Sequence, residues 1–224
     1  MRHSSLLANV MTLMLKCPLC GDTQEKQLVA TRVKRDYYHC SHCQLIFMAP
    51  KCHLSLAEEQ AYYATHENNP EDVGYLKFLS RLATPMRQYL RAGMQGLDFG
   101  CGPGPAMPTL FAEQQVSCDN YDPYFFPIPL KHQYDFIVCS ECFEHFHQPA
   151  TELQQLASLL PKDGLLGVMT DSWLSFEHFY DWHYTRDPTH VSFFHRQTYD
   201  WICQQYGFEL LEWQAPRVAI LRKC

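Results

Sequence analysis

Leu97-Asp98-Phe99-Gly100-Cys101-Gly102-Pro103-Gly104 is an apolar run closed by an acid and then by three glycines, and it opens into a helical pattern. Glycines at such a junction let the chain turn sharply and let backbone N–H groups at the helix start come close to a ligand. Outward from this point the chain alternates short apolar runs with helical stretches, as a parallel sheet with crossover helices requires. Strands are expected at Gly96–Phe99, Val116–Tyr121, Tyr134–Cys139, Leu165–Thr170, Phe208–Gln214 and Val218–Arg222, and helices at Met107–Gln115, Ala150–Leu160 and Arg196–Tyr206. Only Ala215-Pro216-Arg217 joins the last two strands, so they form an antiparallel pair at one edge. The expected class is α/β, a doubly wound, mostly parallel sheet with an antiparallel last strand.

The glycines discriminate between ligands. A nicotinamide fingerprint reads G-x-G-x-x-G. Here the order is G-x-G-x-G followed by Pro105, with Asp98 two residues before the first glycine. A carboxylate there repels a pyrophosphate and suits the amino group of a methionine moiety, which favours S-adenosylmethionine over a dinucleotide and disfavours an oxidoreductase. Asp122, eighteen residues past Gly104 at the tip of the second strand, is placed to accept hydrogen bonds from both ribose hydroxyls.

As a set, "LDFGCGPG", "YDPYF" and "YDFIVCSECFEHF" resemble the motifs of the class I, Rossmann-like methyltransferases, and in particular the Methyltransferase-23 branch, over roughly Gly96 to Gly207. The resemblance implies that Asp98, Gly100, Cys101, Gly102 and Gly104 hold the methionine end and that Asp122 holds the ribose. It also implies that Tyr124 or Phe125 flanks adenine and that Ser140 lies beside the cofactor. One departure stands out: the eleven residues between Asp122 and Tyr134 are too few for the usual third strand and its crossover helix. The sheet is therefore expected to be one strand short of seven.

Methyl transfer is an in-line displacement, so the protein mainly aligns donor and acceptor and, for a hydroxyl acceptor, removes a proton. Candidates sit just after the strand ending at Cys139, where the chain reads Ser140-Glu141-Cys142-Phe143-Glu144-His145. A helical turn beginning at Glu141 would set Glu141, Glu144 and His145 on one face. This E-x-x-E-H element resembles the divalent-metal site of small-RNA 2′-O-methyltransferases and of ubiquinone-pathway catechol O-methyltransferases, where a later histidine completes the set; His190 is the residue offered here. Such a metal would grip vicinal oxygens and lower a hydroxyl pKa. The simpler reading, preferred on sequence, has no second metal and leaves His145 as a base or a packing residue. The loop from Trp173 to Phe194 is dense in aromatics and histidines, as a lid over an apolar acceptor or a packed insertion would be.

Upstream, Cys17-Pro-Leu-Cys20 and Cys40-Ser-His-Cys43 form a C-x2-C-x19-C-x2-C array, the spacing of a structural zinc site. Gln27–Val33 and Arg35–His39 read as a hairpin between the knuckles, in a module too small to fold without metal. The expected organisation is a flexible tail (1–15), a zinc ribbon (16–52), a helical bridge (53–93) broken at Asn68-Asn69-Pro70 and Pro85, and a methyltransferase domain (94–224). In the bridge, Tyr62, Tyr63 and Tyr75 either line a pocket or simply pack. Cys139 and Cys142 make a third C-x-x-C with no partner pair, and it is read as fortuitous.

The 224 residues carry a formal charge of −6, which gives no bulk attraction to nucleic acid or anionic membrane. Locally, Lys16 to Lys51 holds six basic residues against three acidic ones. The first fifteen residues imitate a secretory signal, but polar residues interrupt the apolar run and no small-residue cleavage site follows; a cytoplasmic protein with reduced thiols is expected. The leading expectation is an S-adenosylmethionine-dependent methyltransferase of a small hydroxylated or carbonyl-bearing acceptor. Two alternatives stand beside it: an RNA methyltransferase, since the architecture also resembles sugar C-methyltransferases and certain ribosomal-RNA base methyltransferases, and a ribbon-bearing scaffold with an inactive cofactor domain.

Overall fold

A computed structural model describes residues 12, 13, 15–65 and 68–224. In chain order the elements are β1 (Thr12–Leu13), β2 (Lys26–Val29), β3 (Tyr37–His39), β4 (Ile46–Met48), α1 (Leu56–Tyr63) and α2 (Val73–Arg87). Then follow β5 (Gln95–Phe99), α3 (Met107–Phe111), β6 (Ser117–Tyr121), β7 (Phe136–Ser140), α4 (Pro149–Leu159), β8 (Leu165–Met169), α5 (Phe176–Tyr180), β9 (Ser192–Phe193), α6 (Arg196–Tyr206), β10 (Phe208–Gln214) and β11 (Val218–Lys223).

Six strands form the larger sheet in the order β10-β11-β8-β7-β5-β6. β6, β5, β7 and β8 run parallel, and β11 is antiparallel to both of its neighbours, β8 and β10. The sheet is one strand short of seven: after Asp122 the chain makes a tight bridge to Phe126 and runs without a helix to β7. The central strands β7 and β8 are Phe-Ile-Val-Cys-Ser and Leu-Leu-Gly-Val-Met, apolar runs buried on both faces because helices cover both sides. At the edge, β6 reads Ser-Cys-Asp-Asn-Tyr and stays partly exposed. α6 begins on the His195 side chain, which accepts the Gln197 N–H, and stops at Gly207, whose φ of 66° is the left-handed C-cap.

Two expectations need correction. Pro85 does not break the bridge: it lies inside α2, two residues from its end, and is buried. The ribbon hairpin extends into a five-stranded antiparallel sheet in the order β1-β2-β3-β4-β9, so its last strand comes from the aromatic loop late in the chain. Ribbon side chains (Leu19, Tyr38, Leu45, Phe47), main-sheet side chains (Leu97, Ile137) and Phe143 and Phe194 of the connecting segments form one buried cluster. Apart from β1, which pairs with β2, and residue 15, the expected flexible tail lies outside the described residues. Among the described residues no helix is long and apolar enough to cross a membrane.

Candidate active site

β5 delivers Asp98 into the middle of the sheet, between Asn120 of β6 and Val138 of β7, where it is 3% exposed. Burial, with Asp122 facing it, pushes its carboxyl up to about 7. The chain then turns through Gly100 (φ 76°) and Gly102 (φ 63°) in left-handed backbone, with the N–H groups of Gly100 and Cys101 donating to the Tyr121 carbonyl (2.8 and 3.1 Å). Gly104 answers a different need, because a Cβ there would lie 1.8 Å from the Asn68 carbonyl oxygen of the segment crossing over it. Asp122 accepts backbone N–H bonds from Gly102 (3.1 Å), Tyr124 (2.8 Å) and Phe125 (3.1 Å), which fix its carboxylate at the strand tip. Ser140 Oγ is buried and has no partner among the described residues, as a hydroxyl reserved for a ligand would be.

The region after β7 differs from the helical face expected. Glu141 is left-handed (φ 49°) and the short helical turn spans only Phe143–His145. Glu141 turns away to Arg217, 3.1 Å distant, and Arg217 also holds Asp171 at 2.8 Å. Glu144, His145 and His190 instead converge, with one ligand atom of each within 4.8 Å of the others. The Tyr184 hydroxyl donates to Glu144 Oε1, while Glu144 Oε2 is buried with no partner. His145 Nδ1 is 3.1 Å from the Thr189 carbonyl and His190 Nδ1 is 2.8 Å from the Tyr184 carbonyl. Each Nδ1 must carry its proton, so each Nε2 keeps a lone pair. Burial and the neighbouring His145 push His190 down to about 3, which keeps it neutral. Burial raises Glu144 to about 7, and burial with Glu144 nearby raises Glu141 to about 8. Two carboxylates, Glu141 and Asp171, thus share one arginine with Glu144 close by, and the site is short of positive charge.

One cavity of about 770 Å³ joins these groups: Gly100–Pro103, Asp122–Phe125 and Ser140 wall one part, and Tyr63, His145, His147, Asp187 and His190 another. A family model described as a methyltransferase domain matches residues 67–212. The chain belongs to the methyltransferase-23 family. It is an S-adenosylmethionine-dependent methyltransferase, with the Rossmann-like fold the strand order shows.

Among solved structures, the methyltransferase is similar to a candidate sarcosine dimethylglycine methyltransferase from Galdieria sulphuraria (15% identity, TM-score 0.50, 74% of this chain and 98% of that one). It is also similar to a 1,6-didemethyltoxoflavin-N1-methyltransferase from Burkholderia thailandensis with bound S-adenosylhomocysteine (16% identity, TM-score 0.49, 88% and 98%). A third likeness is to a methyltransferase from Archaeoglobus fulgidus (18% identity, TM-score 0.43, 62% and 75%). No curated protein matches.

In the methyltransferase the four ribbon thiols come together: Cys17 Sγ lies 3.6 Å from Cys43 Sγ and Cys20 Sγ 3.5 Å from Cys40 Sγ. A zinc tetrahedron with bonds of about 2.3 Å has edges of about 3.8 Å, so the cluster suits that ion. Both knuckles close alike, with Gly21 N–H on the Cys17 carbonyl (3.0 Å) and Gln44 N–H on the Cys40 carbonyl (2.8 Å), each in left-handed backbone. Tyr63 and Tyr75 line the cavity, while Tyr62 donates to Asp187 at 3.2 Å. Sequence reasoning did not single out Arg217, Asp171, Tyr184 or Glu59, none of which sits in a motif.

Proposed function

We propose that the protein transfers the methyl group of S-adenosylmethionine to a small acceptor that carries no phosphate. The observation behind this is that the Gly100–Pro103 turn, Asp122 and the histidines His145 and His190 line one cavity, and among the described residues its lining includes no lysine or arginine. A phosphorylated or polyanionic acceptor would meet carboxylates there, namely Glu59, Asp122, Glu141, Glu152 and Asp187, with no lysine or arginine to offset them. The second reading, RNA recognised through the ribbon, draws on the six basic residues between Lys16 and Lys51.

In this proposal Asp98 pairs with the α-ammonium group of the cofactor and Asp122 accepts from the ribose hydroxyls through the lone pairs its backbone donors leave open. Tyr124 flanks adenine, with Gly100, Cys101, Gly102 and Gly104 forming the floor and Ser140 a polar wall. The cofactor supplies an activated methyl on a sulfonium, so the carbon–sulfur electron pair stays on sulfur as the acceptor's lone pair takes the methyl. The chain's own task is to hold the acceptor in line and receive its proton. Glu144, His145 and His190 offer three lone pairs at one point and would hold a divalent ion, which would lower the pKa of an acceptor hydroxyl; Glu141 stays outside that set. Zinc is assigned to Cys17, Cys20, Cys40 and Cys43.

Isothermal titration with S-adenosylhomocysteine tests the cofactor claim: one site per chain is expected, and no binding would refute the proposed activity. Binding of a structured RNA with a steep salt dependence would favour the second reading. For the inner site, Mn2+ added to the zinc-loaded protein should occupy one further position, and His190→Ala should weaken it roughly 100-fold. Equal Mn2+ binding in the variant would return His145 to the role of a metal-free base.

A further inference from the structure

α1 does not dock as surface helices ordinarily do, through an apolar stripe. Among its eight residues the one buried side chain is Glu59, 5% exposed. A carboxylate withdrawn from water is unfavourable unless its lone pairs are met, and Glu59 is met by side chains from three parts of the chain. Its Oε1 accepts from the Tyr63 hydroxyl (3.1 Å) on the same helix and lies 3.0 Å from His147 Nε2, beyond β7. Its Oε2 accepts from the Tyr124 hydroxyl (3.3 Å), in the turn after β6. His147 continues to His53 (Nδ1 to Nδ1, 3.1 Å), and His53 Nε2 lies 3.1 Å from the carbonyl of Met48 in β4. Burial alone would raise the Glu59 pKa, but the hydrogen bond and charge of His147, with the Tyr63 hydroxyl, outweigh it and hold it below the ordinary range.

The geometry points to Glu59 as a cofactor-positioning residue that acts through Tyr124. Its carboxylate fixes the Tyr124 ring at the adenine end of the cleft and latches α1 across it. Asn68, ahead of α2, lies against Gly102 and Gly104 on the same cleft, so Glu59, Tyr124 and Asn68 together flank a bound cofactor. The inference rests on the reading of the cleft as the cofactor site.

Surface plasmon resonance with S-adenosylhomocysteine, on full-length zinc-loaded protein, separates the two claims. Tyr124→Phe keeps the ring and removes the hydroxyl; Glu59→Gln keeps the shape and one acceptor. Glu59→Ala is expected to raise the dissociation rate about tenfold with the association rate within about twofold, Tyr124→Phe to raise it several-fold, and Glu59→Gln to fall between wild type and Glu59→Ala. The double variant Glu59→Ala/Tyr124→Phe should dissociate no faster than Glu59→Ala alone, because both changes break one contact. The melting temperature of the ligand-free Tyr124→Phe protein should match wild type, which a merely structural role would not allow. Dissociation rates unchanged in Tyr124→Phe and Glu59→Gln, or fully additive effects in the double variant, would overturn the inference and leave the proposed function intact. Failure of the unaltered protein to bind S-adenosylhomocysteine would overturn both.

Discussion

Stripping metal from the Cys17, Cys20, Cys40 and Cys43 cluster with a chelator is expected to lower the melting temperature of the entire protein by roughly 20 °C or more. Zinc supplies on the order of 10–16 kcal/mol to small ribbon folds. In a chain of this size, each kcal/mol lost moves the midpoint by roughly 2–4 °C. The loss spreads because Cys17, Leu19, Cys43 and Phe47 lie in the same buried cluster as Leu97, Ile137 and Phe143. Additional ties run from the ribbon to the aromatic loop from Trp173 to Phe194: Trp173 Nε1 donates to the Gln44 carbonyl (3.1 Å) and Arg35 Nη2 to the Thr185 carbonyl (2.8 Å). Differential scanning calorimetry beside elemental analysis checks the expectation. A single transition at the original temperature in protein shown to be zinc-free would remove the structural role of the cluster.

The second large effect centres on Asp98→Asn, which is expected to stabilise the ligand-free protein at pH 8 while weakening S-adenosylhomocysteine binding by roughly 100- to 1000-fold. The two signs share one cause. Asp98 has a folded pKa of about 7 against an ordinary 3.8, so its ionised form is disfavoured by the fold. The penalty is absent below pH 3.8, grows through the interval and is complete above 7, where it amounts to on the order of 4 kcal/mol. An α-ammonium group relieves it by pairing with the carboxylate. Below pH 7 the cofactor must first displace a proton, so wild-type affinity should fall about tenfold per pH unit on acidification and level off above 7. In Asp98→Asn that slope should vanish. Calorimetric titrations between pH 5.5 and 8 in buffers of different ionisation enthalpy read both affinity and proton release. A wild-type affinity that is flat across this range would mean that Asp98 does not pair with the ligand's cation.

The features legible in the sequence were those written in local pattern. The apolar runs at 136–140 and 165–169 and the glycine loop after Phe99 lie within a residue or two of the expected places, and the short link after Asp122 correctly signalled the missing strand. What was hidden depends on partners distant in the chain. β4 is Ile-Phe-Met and β9 is Ser-Phe, too short to show a period; β4 is a strand through its pairing with β3 and β9, and β9 through its pairing with β4. Glu59 reads as the solvent face of a polar helix until Tyr124 and His147 are seen to meet it. Glu141 has helical spacing to Glu144, but Arg217, supplied by the turn between the last two strands, draws it into left-handed backbone.

The pairing of β4 with β9 also dictates an order of events during synthesis. The ribbon is synthesised with the free edge of Ile46–Met48 unsatisfied, and its partner, Ser192–Phe193, follows only after the whole parallel part of the larger sheet. Throughout that interval the nascent chain therefore offers an apolar open strand edge to whatever is nearby, the kind of edge that recruits chaperones or seeds aggregates. Chains cut short before residue 192 retain that edge permanently, so premature termination yields sticky fragments in place of a soluble ribbon.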